Sequence, residues 1–162
     1  MLGDTDLALT CIADEAANQP HEGRVAVAVV ILNRLRLPYA SDGTMAGTVL
    51  HKWAFSGFWA GMVHGVYKTL EFDLAGAETR AEELQQQFSA ERALWADCAQ
   101  SLQDAYAWRA GQPMSFLPGP AFRCLTTRTV LYYNPKLCPQ PIWATPENQD
   151  AVIFDHTFFH SS

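Results

Sequence analysis

The side chains in this sequence best suited to acid–base chemistry lie close together near its start: Asp14, Glu15 and Glu22. Glu15 stands at the C-terminal end of an apolar helical pattern, followed by Ala16 and Ala17, where the helix dipole disfavours negative charge. In a partly apolar cleft, desolvation would raise its pKa, as a general acid working near neutral pH requires. The competing reading is a solvated glutamate at a helix end, the commoner case. Asp14 is its sequence neighbour, but adjacent helical side chains diverge by ~100°, so the two are not expected to act as a pair. Glu22 falls at the start of the next helix and reads as a capping partner.

Several chemistries have no motif here. There is no G-x-S-x-G, no P-loop and no G-x-G-x-x-G. His21-Glu22-Gly23-Arg24 approaches H-E-x-x-H, but Val25 stands where the second histidine should be. His156 and His160 are four apart near the end of the chain and read as structural. Cys11, Cys98, Cys124 and Cys138 form no C-x-x-C pair, so neither a metal nor a cofactor is expected. Cys11 and Cys98 sit in helical patterns and read as buried thiols. Whether Cys124 and Cys138 pair in an oxidising space is left open.

The elements that must position these groups follow from periodicity. Apolar residues recur at three and four from Leu7 to Ile12, with Asp4 or Thr5 as N-cap. Asn18-Gln19-Pro20 stops that helix, and Pro20 suits the first turn of another reaching about Arg36. Val25 to Leu32 makes this second helix apolar nearly all round, which predicts the central buried helix. A loop to Gly47, a short helix from Thr44 to Lys52 and an aromatic loop at Trp53–Trp59 follow. Ala60–Phe72 reads as helix and Glu78–Gln87 as a solvated helix face. Ser89 reads as the N-cap of the clearest helix, with Phe88 as its staple and Gly111 as its end. The chain closes with strands at Thr129–Tyr133 and Val152–Phe159 and a turn at Asn134-Pro135. The pattern predicts one α+β domain over residues 1–162, mostly α, with a small C-terminal β element.

Composition narrows the partners. Of 162 residues, 17 are acidic and 11 basic, a net charge of −6 that repels nucleic acid and anionic lipid. The longest apolar run has eight residues, against the roughly 20 of a membrane span, so no membrane anchor is expected. The acidic opening Met-Leu-Gly-Asp-Thr-Asp lacks the cationic start of a secretory signal. The expectation is synthesis in the cytoplasm, with any action outside depending on release.

Four blocks carry a family resemblance. Leu9 to Arg34, with its Glu15-Ala16, Glu22-Gly23 and Leu32-Asn33-Arg34, is similar to the opening of the spore cortex-lytic enzyme family of cell-wall hydrolases. Trp53-Ala54-Phe55-Ser56 resembles that family's Gln-Phe-Ser segment. Thr129–Pro135 with Pro141–Ala144 resembles its tyrosine-rich strand and Pro-x-Trp-Ala. Ile153–Phe159 resembles its closing Gly-x-His-x-Phe. The blocks occur in order over nearly the whole chain, although Gly61–Ala90 matches poorly. Two stretches depart from the pattern: Glu-Ala-Arg-Gly-Glu is here Glu15-Ala16-Ala17-Asn18-Gln19, so the arginine is gone and the second carboxylate is an amide, and Asp155 replaces a glycine.

The resemblance implies a lysozyme-like fold that cleaves peptidoglycan glycan strands between N-acetylmuramic acid (MurNAc) and N-acetylglucosamine. It implies lytic transglycosylation, with Glu15 as the single acid and then base. Phe55, Tyr132, Tyr133 and Trp143 are then candidate sugar platforms, with core packing equally open for Phe55 and Trp143. Ser56, Asn134 and His156 are candidate polar partners. Tyr132 and Tyr133 alternate on a strand, so only one of them is expected to line the groove. Acting in the wall or periplasm, such a protein would be a phage endolysin or a lysin carried on a phage-like particle. A hydrolytic muramidase of the same fold, and an inactive wall-binding or particle-assembly module, remain the alternatives.

Overall fold

The computed structural model describes residues 1–52, 54–63, 66–69 and 73–161. Among the described residues, five α-helices, three short 3-10 turns and two small antiparallel sheets make a mixed α+β fold. Helix α1 (Asp4–Ala16) begins behind Gly3, which makes no side-chain cap, while Asp4 and Asp6 complement the dipole in its first turn. Pro20 is the N-cap of α2 (His21–Arg36) rather than a residue of its first turn. Helix α2 is buried all round from Val25 to Arg34, as its unbroken apolar run predicts. It packs against α1, α5 (Arg92–Arg109) and β3 (Thr129–Tyr133).

Three expectations for the middle of the chain are corrected. The short helix α3 is Met45–Val49, with the Thr44 hydroxyl accepting the Gly47 N–H at 2.9 Å. Ala60–Phe72 is not a helix: β1 (Ala60–Val63) and β2 (Val66–Thr69) pair antiparallel, while residues 64, 65 and 70–72 lie outside the described residues. Runs this short bury too little of a face to hold a helix, and pairing satisfies their backbone instead. Ser89 ends α4 (Leu74–Ser89) instead of opening α5. Asp73 caps α4 by accepting from Gly76 N at 2.9 Å, and Glu91 precedes α5. Gly111 closes α5 in the left-handed region at φ +68°, a conformation a side chain would strain.

The single strand expected at Val152–Phe159 is a hairpin. Strands β4 (Gln149–Ile153) and β5 (His156–His160) turn at Phe154-Asp155, with Phe154 at φ +52°. β5 is the middle strand of the sheet β3-β5-β4. Asn33 and Arg34 tie this sheet to α2. The Asn33 Nδ2 donates to the carbonyls of Thr126 and Thr129 at 2.9 and 2.8 Å, and Arg109 donates to its Oδ1. Arg34 Nε donates to Val130 O at 2.6 Å. These bonds leave no freedom in where Tyr132, two residues further along β3, comes to rest.

Candidate active site

A cleft of about 930 Å³ opens where the end of α1 meets β3, β5 and the turns after α3. Glu15 lies in the last turn of α1, half-buried, and the Tyr132 hydroxyl donates to its Oε2 at 2.8 Å. The carbonyls at this helix end are satisfied by Arg24, which donates to Ala16 O and Ala17 O at 3.2 and 2.7 Å and is held in turn by Asp97. The helix tip that carries Glu15 is therefore fixed. Burial, and then the neighbouring Asp14 charge, raise the Glu15 pKa from 4.5 to about 7, against the opposing Tyr132 hydrogen bond and Arg34 charge. A carboxyl in this condition is protonated in part at neutral pH and can give up its proton there.

Tyr132 itself is held edge-on to His156, ring centroids 5.0 Å apart, and lies 5.5 Å from Phe158. His156 is buried in the cleft wall. Burial lowers its pKa, and its Nδ1 has no hydrogen-bond partner among the described residues. His160, at the far end of β5, is bound to Asp150 at 2.7 Å, so the two histidines serve different surroundings.

Of the residues singled out by sequence, Glu15, Ser56, Tyr132, Tyr133, Asn134, Trp143 and His156 line this one cleft. Tyr132 and Tyr133 both do so, against the alternation rule. β3 ends at Tyr133 and the chain turns back through residues 134–143, so the cleft reaches both faces of the strand end. On the second face Tyr133 stacks on Phe159 at 5.9 Å and meets the edge of Trp143 at 6.1 Å. Asn134 spends its Oδ1 on Lys136 N at 2.9 Å, shaping the turn at Pro135. Phe55 is a correction. It is 1% exposed and packs under the Arg34 guanidinium, 4.8 Å from the ring centroid, so it is a core residue and not a sugar platform. Trp53 lies outside the described residues.

Among the cleft residues not predicted from sequence, two carry charge next to Glu15. Asp14 also lines the cleft, and its half-buried carboxylate receives no hydrogen bond from a described residue. Room for it comes from Gly57, where a Cβ would overlap Asp14 Oδ2. Burial raises its pKa, with Arg80 opposing. Arg34, on the cleft floor, is the other. An arginine directly after the unbroken apolar run Val25–Leu32 and Asn33 was the available signal.

Gln19 and Asp155, two of the positions at which the resemblance breaks, meet in space. Gln19 Nε2 donates to Asp155 Oδ2 at 3.1 Å, Asp155 N donates to Gln19 Oε1 at 3.3 Å, and Lys136 Nζ closes on Asp155 Oδ1 at 2.5 Å. An amide at position 19 suits an aspartate at 155; a carboxylate there would face a like charge. We expect Gln19→Glu to destabilise the fold at neutral pH. Urea midpoints should show this loss shrinking in acid, where protonation removes the repulsion.

All four cysteines are free, Cys11 and Cys98 buried, Cys124 and Cys138 exposed. Burial raises the Cys11 thiol well above its usual value and Cys98 to about 11, which makes both inert. Among the described residues no group of three or more His, Cys, Asp or Glu could hold a metal ion, and no helix is long and apolar enough to cross a membrane. No family model, curated protein or solved structure matches the chain.

Proposed function

We propose that this protein is a peptidoglycan lytic enzyme of lysozyme-like fold that cleaves the bond between MurNAc and N-acetylglucosamine, with Glu15 as its acid and base. One observation carries the proposal: a half-buried carboxyl with a pKa of about 7, held by a phenol at 2.8 Å in a cleft that also presents Tyr133 and Trp143. Apolar sugar faces stack on such rings, and Ser56 and Asn134 offer polar partners to their edges.

The reaction follows from the single donor. Tyr132 occupies Oε2, so Oε1 is the free oxygen that carries the proton to the glycosidic oxygen. The C1–O bond breaks, and the substrate's own acetamido group supports the positive charge at C1. Glu15, now ionised, takes the proton of the muramoyl 6-hydroxyl as that oxygen closes on C1. The product is a 1,6-anhydro sugar, no water is consumed, and Glu15 is reprotonated for the next cycle. Mass spectrometry of digested sacculi tests this: 1,6-anhydro ends are expected, and an unchanged sacculus would refute it.

A hydrolytic muramidase is the second reading, favoured by Asp14. Hydrolysis needs a second carboxylate to activate water or to attack C1, and Asp14 is an ionisable group in the same cleft. Reducing ends in the same digest would assign it.

On the transglycosylase reading Asp14 contributes to the proton affinity of Glu15 without taking part in bond cleavage. Asp14→Asn removes the second-largest cause of the raised Glu15 pKa. Glu15 would then lose its proton at lower pH. The alkaline limb of kcat/KM against pH is expected to move downwards, a shift that a pH–rate profile reads directly.

A further inference from the structure

His21 does not line the cleft, yet it is the centre of a charged cluster that joins the start of α2 to the middle of α5 and to residues 115–119. Its Nδ1 lies 2.9 Å from Asp97 Oδ1 and its Nε2 2.7 Å from Asp104 Oδ2. Against the cost of burial, hydrogen bonds from Arg24 and His21 hold the Asp97 carboxyl below its usual range, and bonds from Ser115, His21 and Gln100 do the same for Asp104. Both are carboxylates at neutral pH and can only accept. Ser101 Oγ, 3.3 Å from Nδ1, gives its own proton to Asp97 O at 2.8 Å and so offers that nitrogen a lone pair as well. A neutral imidazole has a single N–H, and its bare nitrogen would face a carboxylate oxygen. The geometry therefore requires both ring nitrogens of His21 to donate, which only the imidazolium can do.

The cluster reaches Glu15 in two steps. Asp97 gives one oxygen to His21 and the other to Arg24 Nη1, at 2.7 Å. Arg24 in turn donates to Ala16 O and Ala17 O, the carbonyls that end α1 directly after Glu15. Two cations and two carboxylates thus alternate along the path Asp104, His21, Asp97, Arg24. Asp104 anchors its outer end by accepting from the backbone N–H of Ser115 at 2.7 Å and from the Ser115 hydroxyl. Phe116 covers the imidazole edge-on, ring centroids 5.2 Å apart, and Glu22 accepts from Gly119 N at 2.7 Å. Asp97 is held from two sides, and that fixes the direction in which Arg24 points. With one side released, the carboxylate can turn, the α1 carbonyls lose their donor and the last turn frays.

We infer that His21, as an imidazolium clamped between Asp97 and Asp104, is a positioning residue for Glu15, acting through Asp97 and Arg24 on the end of α1. The inference rests on Glu15 as the acid of the cleft. It gives a part in the chemistry to the one stretch, His21 to Arg24, whose motif-like sequence has no metal to bind.

The test compares the parent with His21→Gln, reading the Glu15 carboxyl titration by NMR and kcat and KM on solubilised glycan strands. Two effects on the Glu15 midpoint have opposite signs. Removal of a cation acting only through its charge would raise it, whereas a loosened helix tip admits water and lowers it from about 7 towards the ordinary carboxyl range. A lower midpoint is expected, with kcat down roughly tenfold and KM unchanged. Arg24→Gln should do the same, and the double variant should be no worse than Arg24→Gln alone, because both changes cut one path. A merely structural role would lower the urea midpoint and leave kcat per folded molecule and the Glu15 titration where they were; that result would overturn the inference. In the unaltered protein, ¹⁵N shifts should show both His21 ring nitrogens protonated at neutral pH, and one bare nitrogen would overturn it as well. A parent that cuts no strands, but whose Glu15 midpoint still falls in His21→Gln, would overturn the lytic reading and leave the positioning standing.

Discussion

Glu15→Gln is expected to abolish cleavage of sacculi, by on the order of 10²–10⁴-fold, while the protein stays folded. Glutamine keeps the shape and an acceptor for the Tyr132 hydroxyl, so the 2.8 Å contact survives and only the proton is lost. The sign of the stability change separates the two effects. Glu15 has a folded pKa of about 7 against an ordinary 4.5. Between those values the folded state holds a proton that the unfolded state has released, so stability falls as pH rises through that window. The glutamine variant has no proton to lose, and above pH about 7 it should be more stable than the parent. An inactive variant with an equal or higher urea midpoint places the loss in chemistry. Zymography alongside chemical denaturation provides both readings.

Phe55→Ala is expected to act the opposite way, costing about 3–5 kcal/mol of stability. The ring is 1% exposed, belongs to the core and supports the Arg34 guanidinium from below. Removing it leaves a cavity and frees a cation that helps to hold β3 through Val130 O. A sugar platform would behave differently: its loss would raise KM and leave the urea midpoint alone. A lower midpoint at constant m-value, with any fall in activity following the folded fraction, is the predicted outcome.

How much was legible in sequence depended on whether the deciding contact was local. Helix α2 was readable because it is apolar on every side, and the structure buries it from Val25 to Arg34. Glu15 was readable as a candidate because a carboxylate at the end of an apolar helix has an electrostatic cost. The pairing of β1 with β2 was not readable, since each strand is four residues long and a run of that length suits helix or strand equally. Ser89 has the composition of an N-cap, but α4 runs right up to it, and its hydroxyl donates backwards to Gln86 O at 3.4 Å. Phe55 looked like a platform because aromatic, glycine-punctuated loops suit both roles; burial decides between them, and burial is a tertiary property.

Asp14 was set aside on helix geometry alone. The ~100° divergence from Glu15 is real, yet the cleft wraps the end of α1, and a glycine from a different segment makes space for the carboxylate. The pairing of Gln19 with Asp155 spans 136 residues, so no local pattern could announce it. Each looked like a lapse from a motif by itself, and together they form one contact between the α1–α2 link and the β4–β5 turn.

The most direct test is a titration of the Glu15 carboxyl carbon by NMR in the intact protein, which needs no substrate and no assumption about product. A midpoint of about 7 is predicted. A midpoint in the ordinary range near ~4.3 would mean a solvated carboxylate that has no proton to give at neutral pH, and would contradict the assignment of Glu15 as the acid.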